Sequence, residues 1–222
     1  MTETPPDTLA AALARHQVEV TDEQRDMLDR YCRLLWEWND KINLTRHTDY
    51  EKFVARDLRD SLHIARLLAP NERILDVGTG GGVPGIPIAI LRRDVQVSLC
   101  DSVGKKAQVV HDIAEKLDLP IDTHNSRVEE LLEDERYTSL VARAVGPLDK
   151  LLTWLKHHWP AAGRLLALKG PKWTDERAQA RHLGLLKPLE LRVVDEYPMP
   201  GTESNSVILQ IWPKGKKLPG EA

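Results

Sequence analysis

Cysteine is scarce in this chain of 222 residues. Cys32 and Cys100 are the only two, and neither belongs to a C-x-x-C pair. That argues against a disulfide framework or a cysteine-built zinc site, and it suits a reducing cytoplasm. No apolar run approaches the roughly 20 residues that a membrane-spanning helix needs. Met1 to Asp7 is polar and contains Pro5-Pro6, which predicts no signal peptide. A basic excess is missing too: 31 Lys and Arg stand against 34 Asp and Glu, a net charge of −3. A strong nonspecific nucleic-acid binder is expected to be basic overall, so such a partner here requires a local cationic patch. The eight histidines show no metal-ligand spacing, and His157-His158 reads as a solvated helix end. There is no G-x-x-x-x-G-K-[ST] for nucleoside triphosphates and no G-x-S-x-G nucleophile turn. No internal repeat and no long linker divides the chain, whose length suits one α/β domain with a full core.

What the sequence does contain is concentrated between Ile74 and Pro87. Apolar residues end in Asp76, then glycines stand at 78, 80, 81 and 82, and Pro84-Gly85-Ile86-Pro87 follows. The pattern predicts a buried strand, a tight turn and a helix opening at Pro84, whose first N–H groups are free to face a ligand.

Around this stretch the chain falls into three parts. Residues 1–6 read as a frayed tail and Thr8–His16 as a short helix. Thr21 with Gln24 predicts a capping box that opens a helix with Met27, Leu28, Tyr31, Leu34, Leu35 and Trp38 on one stripe. Trp36 falls off the stripe and is expected to face another helix. A second long helix is expected from Asp49 to Leu68, which makes residues 1–70 a helical subdomain packed on the same domain. From 71 to 213 strands and helices alternate, the signature of a parallel sheet covered on both faces. The strands are Arg73–Val77, Val95–Cys100, Ile121–His124, Ser139–Arg143 and Gly163–Lys169. The helices are Pro84–Leu91, Gly104–Leu117, Val128–Leu132, Pro147–His157 and Thr174–His182. Leu189–Tyr197 and Ser206–Trp212 have no helix between them and should pair antiparallel. Residues 214–222 form a basic tail. The expected fold is α/β: a Rossmann-like, mostly parallel seven-stranded sheet with an antiparallel C-terminal hairpin.

In such a sheet ligands bind beyond the C-terminal strand ends. Asp101 ends the second strand 23 positions after Gly78, where an acidic side chain can accept both hydroxyls of a ribose. An ordinary strand-end aspartate capping the helix at Gly104 is the simpler alternative. Gly80 to Gly85 matches G-x-G-x-x-G, but it opens three residues beyond Val77, whereas the dinucleotide fingerprint opens directly after the strand. Started from Gly78, the third glycine position holds Val83. No tyrosine has a lysine four residues later, so hydride-transfer machinery is not evident. Asp76, directly before the turn, suits a cationic ligand better than a diphosphate. S-adenosylmethionine carries a sulfonium and an ammonium and no phosphate.

Further segments then fall in a recognisable order: Asn43-Leu44-Thr45, Arg56 with Asp60-Ser61-Leu62, the glycine stretch with Pro84-Gly85-Ile86-Pro87, and Asp101-Ser102-Val103-Gly104-Lys105-Lys106. Ser126-Arg127-Val128-Glu129, Arg143-Ala144 and Ala167-Leu168-Lys169-Gly170 complete the series. From about residue 20 to 212 the chain resembles the bacterial 16S rRNA guanine-N7 methyltransferases, the glucose-inhibited division protein B family. Two positions depart from that pattern: Asp57 stands where the family usually has histidine, and Arg59 where it has an apolar residue. The resemblance implies a class I methyltransferase that moves a methyl group from S-adenosylmethionine to N7 of one guanosine in 16S rRNA of the small ribosomal subunit. It also implies Gly78 and Val83 around the methionine and ribose, Asp101 at the ribose, Val128 and Glu129 at the adenine, and Arg143 on the substrate-facing side. Asp76, Gly80 and Gly82 complete the expected cofactor set.

The chemistry agrees. Guanine N7 has an exposed lone pair and no proton to remove, so no general base is needed. No catalytic residue stands out, and Arg143 and Lys169 are expected to position the reactants. Amine-directed enzymes usually carry an Asn/Asp-Pro-Pro-aromatic run after strand four; here that place holds Arg143-Ala144-Val145-Gly146-Pro147. Neither cysteine lies in a loop suited to pyrimidine C5 chemistry. Arg56, Arg59, Lys105, Lys106, Arg127, Lys169 and Lys172 are the expected RNA contacts, although Lys105, Lys106 and Lys172 also read as ordinary solvated lysines. A monomer is the default. An S-adenosylmethionine enzyme for a small molecule and a non-catalytic ribosome-binding sensor stay open as alternatives.

Overall fold

The computed structural model describes residues 7–218. The frayed tail read at residues 1–6 lies outside them, as do residues 219–222 of the basic tail.

Seven strands form one sheet in the order β3-β2-β1-β4-β5-β7-β6. They are β1 (Arg73–Val77), β2 (Gln96–Cys100), β3 (Asp122–His124), β4 (Tyr137–Arg143), β5 (Ala162–Lys169), β6 (Leu189–Pro198) and β7 (Asn205–Pro213). Strands β1 to β5 pair in parallel. β7 pairs antiparallel to β5 and β6 antiparallel to β7. The order reverses between β1 and β4, so the crevice for a ligand opens over that pair.

The helices are α1 (Leu9–Arg15), α2 (Asp22–Asn39), α3 (Tyr50–Lys52), α4 (Arg59–Arg66), α5 (Gly85–Leu91), α6 (Gly104–Lys116), α7 (Val128–Asp134), α8 (Leu148–Leu155) and α9 (Trp173–His182). Side chains alternate along each strand, so the sheet feeds two cores. Ile74 belongs to the core shared with α1, α2, α4, α5 and α6, while its neighbour Leu75 packs with α7, α8 and α9. The N-terminal helices therefore lie in the same core as one sheet face. Phe53, the chain's single phenylalanine, is fully buried there with its ring 6.0 Å from that of Tyr31. Burying a side chain of this size stabilises by about 1.5–3 kcal/mol.

Local signals set the element ends. Thr21 and Gln24 form the expected reciprocal cap of α2. Trp36 packs edge-on against Tyr50 at 4.9 Å and donates its indole N–H to the His47 carbonyl at 2.8 Å.

Two expectations are corrected. The long helix from Asp49 to Leu68 is interrupted by a π-helical turn at Phe53–Leu58. Such widened turns redirect side chains, and here Asp57 is buried against a residue of β4. The second correction is α5, which starts at Gly85 with Pro84 as its N-cap. Its N-terminus is not free: the Gly85 amide donates to Asp76 Oδ2 at 3.0 Å and the Ile86 amide to the Gly82 carbonyl at 2.7 Å.

A candidate cofactor and substrate cleft

The β1 end and the β4 end meet at the glycine turn. Gly82 has φ +95, and a Cβ there would stand 2.5 Å from Ile86 Cδ1, so only glycine fits the bend beneath α5. Gly85 permits a second close approach: a Cβ would meet Leu99 Cδ2 at 2.2 Å. The helical subdomain clamps the turn from outside, where the buried Tyr31 hydroxyl donates to the Gly81 carbonyl at 2.8 Å.

Three clefts run side by side along this edge of the sheet. The first is lined by Gly78, Asp101, Ser126, Val128, Glu129 and Trp154, among others. The second shares Gly78 and adds Gly80, Val83, Lys106, His47 and Asp57. The third shares His47, Arg143 and Ala144 with the second, and Arg56, Asp60 and Lys169 also line it. Ala144 takes a left-handed φ of +56 at the junction, a conformation that costs a non-glycine residue roughly 1–2 kcal/mol. Of the residues assigned to the cofactor, Gly78, Gly80, Val83, Asp101, Val128, Glu129 and Arg143 line this continuous space. Asp76 and Gly82 do not line it. Both are buried behind the turn.

Asp101 holds the turn in shape. Its Oδ2 accepts from the Gly80 amide at 3.0 Å and its Oδ1 from the Val103 amide at 2.8 Å. Asp76 is more deeply placed. Its Oδ2 accepts from Thr79 Oγ1 at 2.7 Å as well as from Gly85, while Oδ1 is buried without a partner. Burial pushes its pKa up to about 7, against the downward pull of those hydrogen bonds and of Arg143.

Arg143 is held by two carboxylates from the helical subdomain. Nη2 meets Asp57 Oδ1 at 2.5 Å and Nε meets Asp60 Oδ2 at 2.8 Å. Asp57 also pairs with His47 Nδ1 at 2.9 Å, and its Oδ2 is buried and unpartnered. Asp60 accepts from the Tyr197 hydroxyl at 2.8 Å. Burial works against the charge of Arg143, but Asp57 and Asp60 outweigh it and raise its pKa. Burial likewise raises Asp60, with Arg143 pulling the other way. His47, Asp57 and Asp60 are the residues that reading the sequence did not assign to the site. Asp57 and Asp60 stand three apart, a helical spacing that places both on one face; His47 carried no local signal.

The cations expected to meet RNA divide into two groups. Lys105, Arg127 and Lys172 are exposed, while Lys106 and Arg56 are half-buried and line the second and third clefts. Arg59 is half-buried, with Nε enclosed and unpartnered. Lys169 is buried: its ammonium donates to the Gly146 carbonyl and pairs with Glu176 at 2.8 Å. Glu176 in turn accepts from the Leu148 amide at 2.9 Å, so Lys169 braces the loop before α8. Burial pushes the Cys100 thiol up to about 12, which leaves it a poor nucleophile although it lines the first cleft. Among the described residues no group of three or more His, Cys, Asp or Glu is placed to hold a metal ion, and no helix is long and apolar enough to cross a membrane.

Sheet order, glycine turn and strand-end acid together define a class I, Rossmann-like methyltransferase. Solved structures share the fold: the 23S rRNA methyltransferase ErmE (TM-score 0.52, 19% identity, 75% of this chain and 72% of that one). M. capricolum TrmK, solved with S-adenosyl-homocysteine, is another (TM-score 0.54, 16% identity, 73% and 71%). The family model for rRNA small subunit methyltransferase G matches residues 24–197. A ribosomal RNA small subunit methyltransferase G from Rhodopirellula baltica is 50% identical over 188 residues, which cover 85% of this chain and 81% of the relative. One from Escherichia fergusonii is 34% identical over 207 residues, 92% and 97% of the two chains. The chain belongs to the rRNA small subunit methyltransferase G family.

Proposed function

We propose that the protein transfers a methyl group from S-adenosylmethionine to N7 of a guanosine in 16S rRNA, acting in the cytoplasm on the small ribosomal subunit. Family membership supports the substrate. The observation that carries the chemistry is the neutralisation of Arg143 by both Asp57 and Asp60. The first cleft, lined by Asp101 and Glu129 against one cation, Arg127, is then net anionic, since the neighbouring guanidinium of Arg143 is already compensated. A phosphate-bearing cofactor is poorly served by such a lining, and a sulfonium donor is well served.

The reacting bond change keeps that charge in the site. Guanine N7 supplies the electron pair of the new N–C bond, the C–S pair stays on sulfur, and the positive charge passes to the purine without loss of a proton. No general base is required, and the residues here act by orientation and electrostatics, which in well-ordered systems supply up to about 7–11 kcal/mol. Asp101 takes the ribose hydroxyls, and Val128 and Glu129 the adenine, in the first cleft. Gly78, Gly80 and Val83 take the methionine part in the second. The third cleft, between Arg143 and Lys169, receives the base, splayed from its stack. Arg56, Lys105, Lys106, Arg127 and Lys172 meet the RNA backbone around the mouth.

Labelled S-adenosylmethionine, incubated with small subunits or naked 16S rRNA from a strain lacking the enzyme, tests the reading. Label at one guanine N7 is expected. Label in neither substrate refutes it, and label in a small molecule without RNA moves the protein to another substrate class.

A further inference from the structure

A second cationic groove starts on α9, one residue beyond Glu176 of the third cleft, and runs toward the end of the sheet opposite the clefts. Arg177 and Arg181 stand four apart on α9 and so on one face. Lys187, in the turn that follows, and Lys214, just beyond β7, complete the lining with Leu186 and one carboxylate, Glu190. None of the four cationic side chains makes a hydrogen bond or ion pair within the described residues. Elsewhere in the chain arginines are mostly spent on partners, as Arg73 is on Glu135 and Arg92 on Asp94. A chain of net charge −3 that leaves four cations unpaired in one groove leaves a strongly positive spot there.

Its place in the fold is opposite the reaction. β5 ends at Lys169, beside the third cleft, and β7 runs antiparallel to it, so Lys214 lies near the other end of the strand. The eight residues of β5 span roughly 26 Å. The groove is also on the face of α8 and α9, away from the helical subdomain. Its far end, at Lys187 and Lys214, lies away from the cleft mouth.

We propose that this groove is a second RNA-binding site, which grips the phosphodiester backbone of the rRNA substrate at a distance from the methylated base. The inference rests on the RNA reading above. Unpaired Arg and Lys side chains can meet phosphate with no internal ion pair to break, and each neutralised phosphate releases condensed counterions. The remote grip sets affinity and register and leaves the chemical step to the clefts.

The test is a triple charge reversal at exposed positions, Arg181→Glu, Lys187→Glu and Lys214→Glu. Binding to small ribosomal subunits is measured across a salt series, with kcat, KM and S-adenosylmethionine affinity alongside. The expected result is a loss of affinity of about tenfold or more and a salt dependence shallower by about two to three in log–log slope. KM should rise while kcat at saturating substrate and cofactor affinity hold. A correctly folded variant with unchanged affinity and slope overturns the groove while the methyltransferase reading stands. A wild-type protein that neither binds nor methylates subunits overturns both.

Discussion

Arg143 Nη2 lies 2.5 Å from Asp57 Oδ1, a contact that joins residues 86 positions apart and ties β4 to the helical subdomain at the floor of the clefts. The guanidinium is therefore a structural tie as well as part of the lining of the second and third clefts. Arg143→Ala leaves Asp57 and Asp60 buried without the guanidinium, with only His47 still beside Asp57. Removal of one member of a buried pair typically costs about 3–5 kcal/mol. Urea unfolding should show a loss of that order along with lost methyl transfer. Full stability in the variant would show that the two carboxylates are relieved by another route.

Asp101 carries a structural role and a proposed one. It holds the Gly80 and Val103 amides in the free protein and is assigned the ribose in the complex. Asp101→Ala should weaken S-adenosylmethionine binding by about 1–3 kcal/mol, the scale of charge-assisted hydrogen bonds. Calorimetric titration checks it, and unchanged affinity removes the ribose role.

Asp76 makes stability depend on pH. Its folded pKa of about 7 lies above the value of about 3.9 for an unfolded aspartate. The folded state therefore keeps a proton that the unfolded chain releases. The contribution is full below about pH 4 and is lost as pH rises through 7, by on the order of 4 kcal/mol. In Asp76→Asn that part of the pH dependence should vanish. Unfolding free energies of both proteins at pH 5 and pH 8 decide it; an unchanged difference between the two pH values in the variant refutes the assignment.

Gly85 has no room for a methyl group. Gly85→Ala puts Cβ 2.2 Å from Leu99 Cδ2 and 2.9 Å from Asp76 Oδ2. Overpacking of this kind costs about 1–3 kcal/mol, so the melting temperature should fall. A variant that melts like the parent would mean that α5 slides without penalty.

The sequence by itself determined the sheet, the glycine turn and the order of the strand ends. Those features are local: an apolar period of two, glycines where backbone must bend, and caps such as Thr21 with Gln24. A ligand crevice at the strand ends follows from topology, which pointed to Gly78 and Asp101, while the resemblance pointed to Val83, Val128 and Glu129; all five line the clefts. Only the tertiary structure decided which charges are free. Arg143 and Lys169 look like open cations at strand ends, yet Asp57 and Asp60 neutralise the first from a distant segment and Glu176, on the next helix, neutralises the second. The π-helical turn at Phe53–Leu58 belongs to the same class of fact, since it accompanies the burial of Asp57 against Arg143. Side-chain pairing across 86 residues has no period and no local signature, and it exists only once the chain has packed.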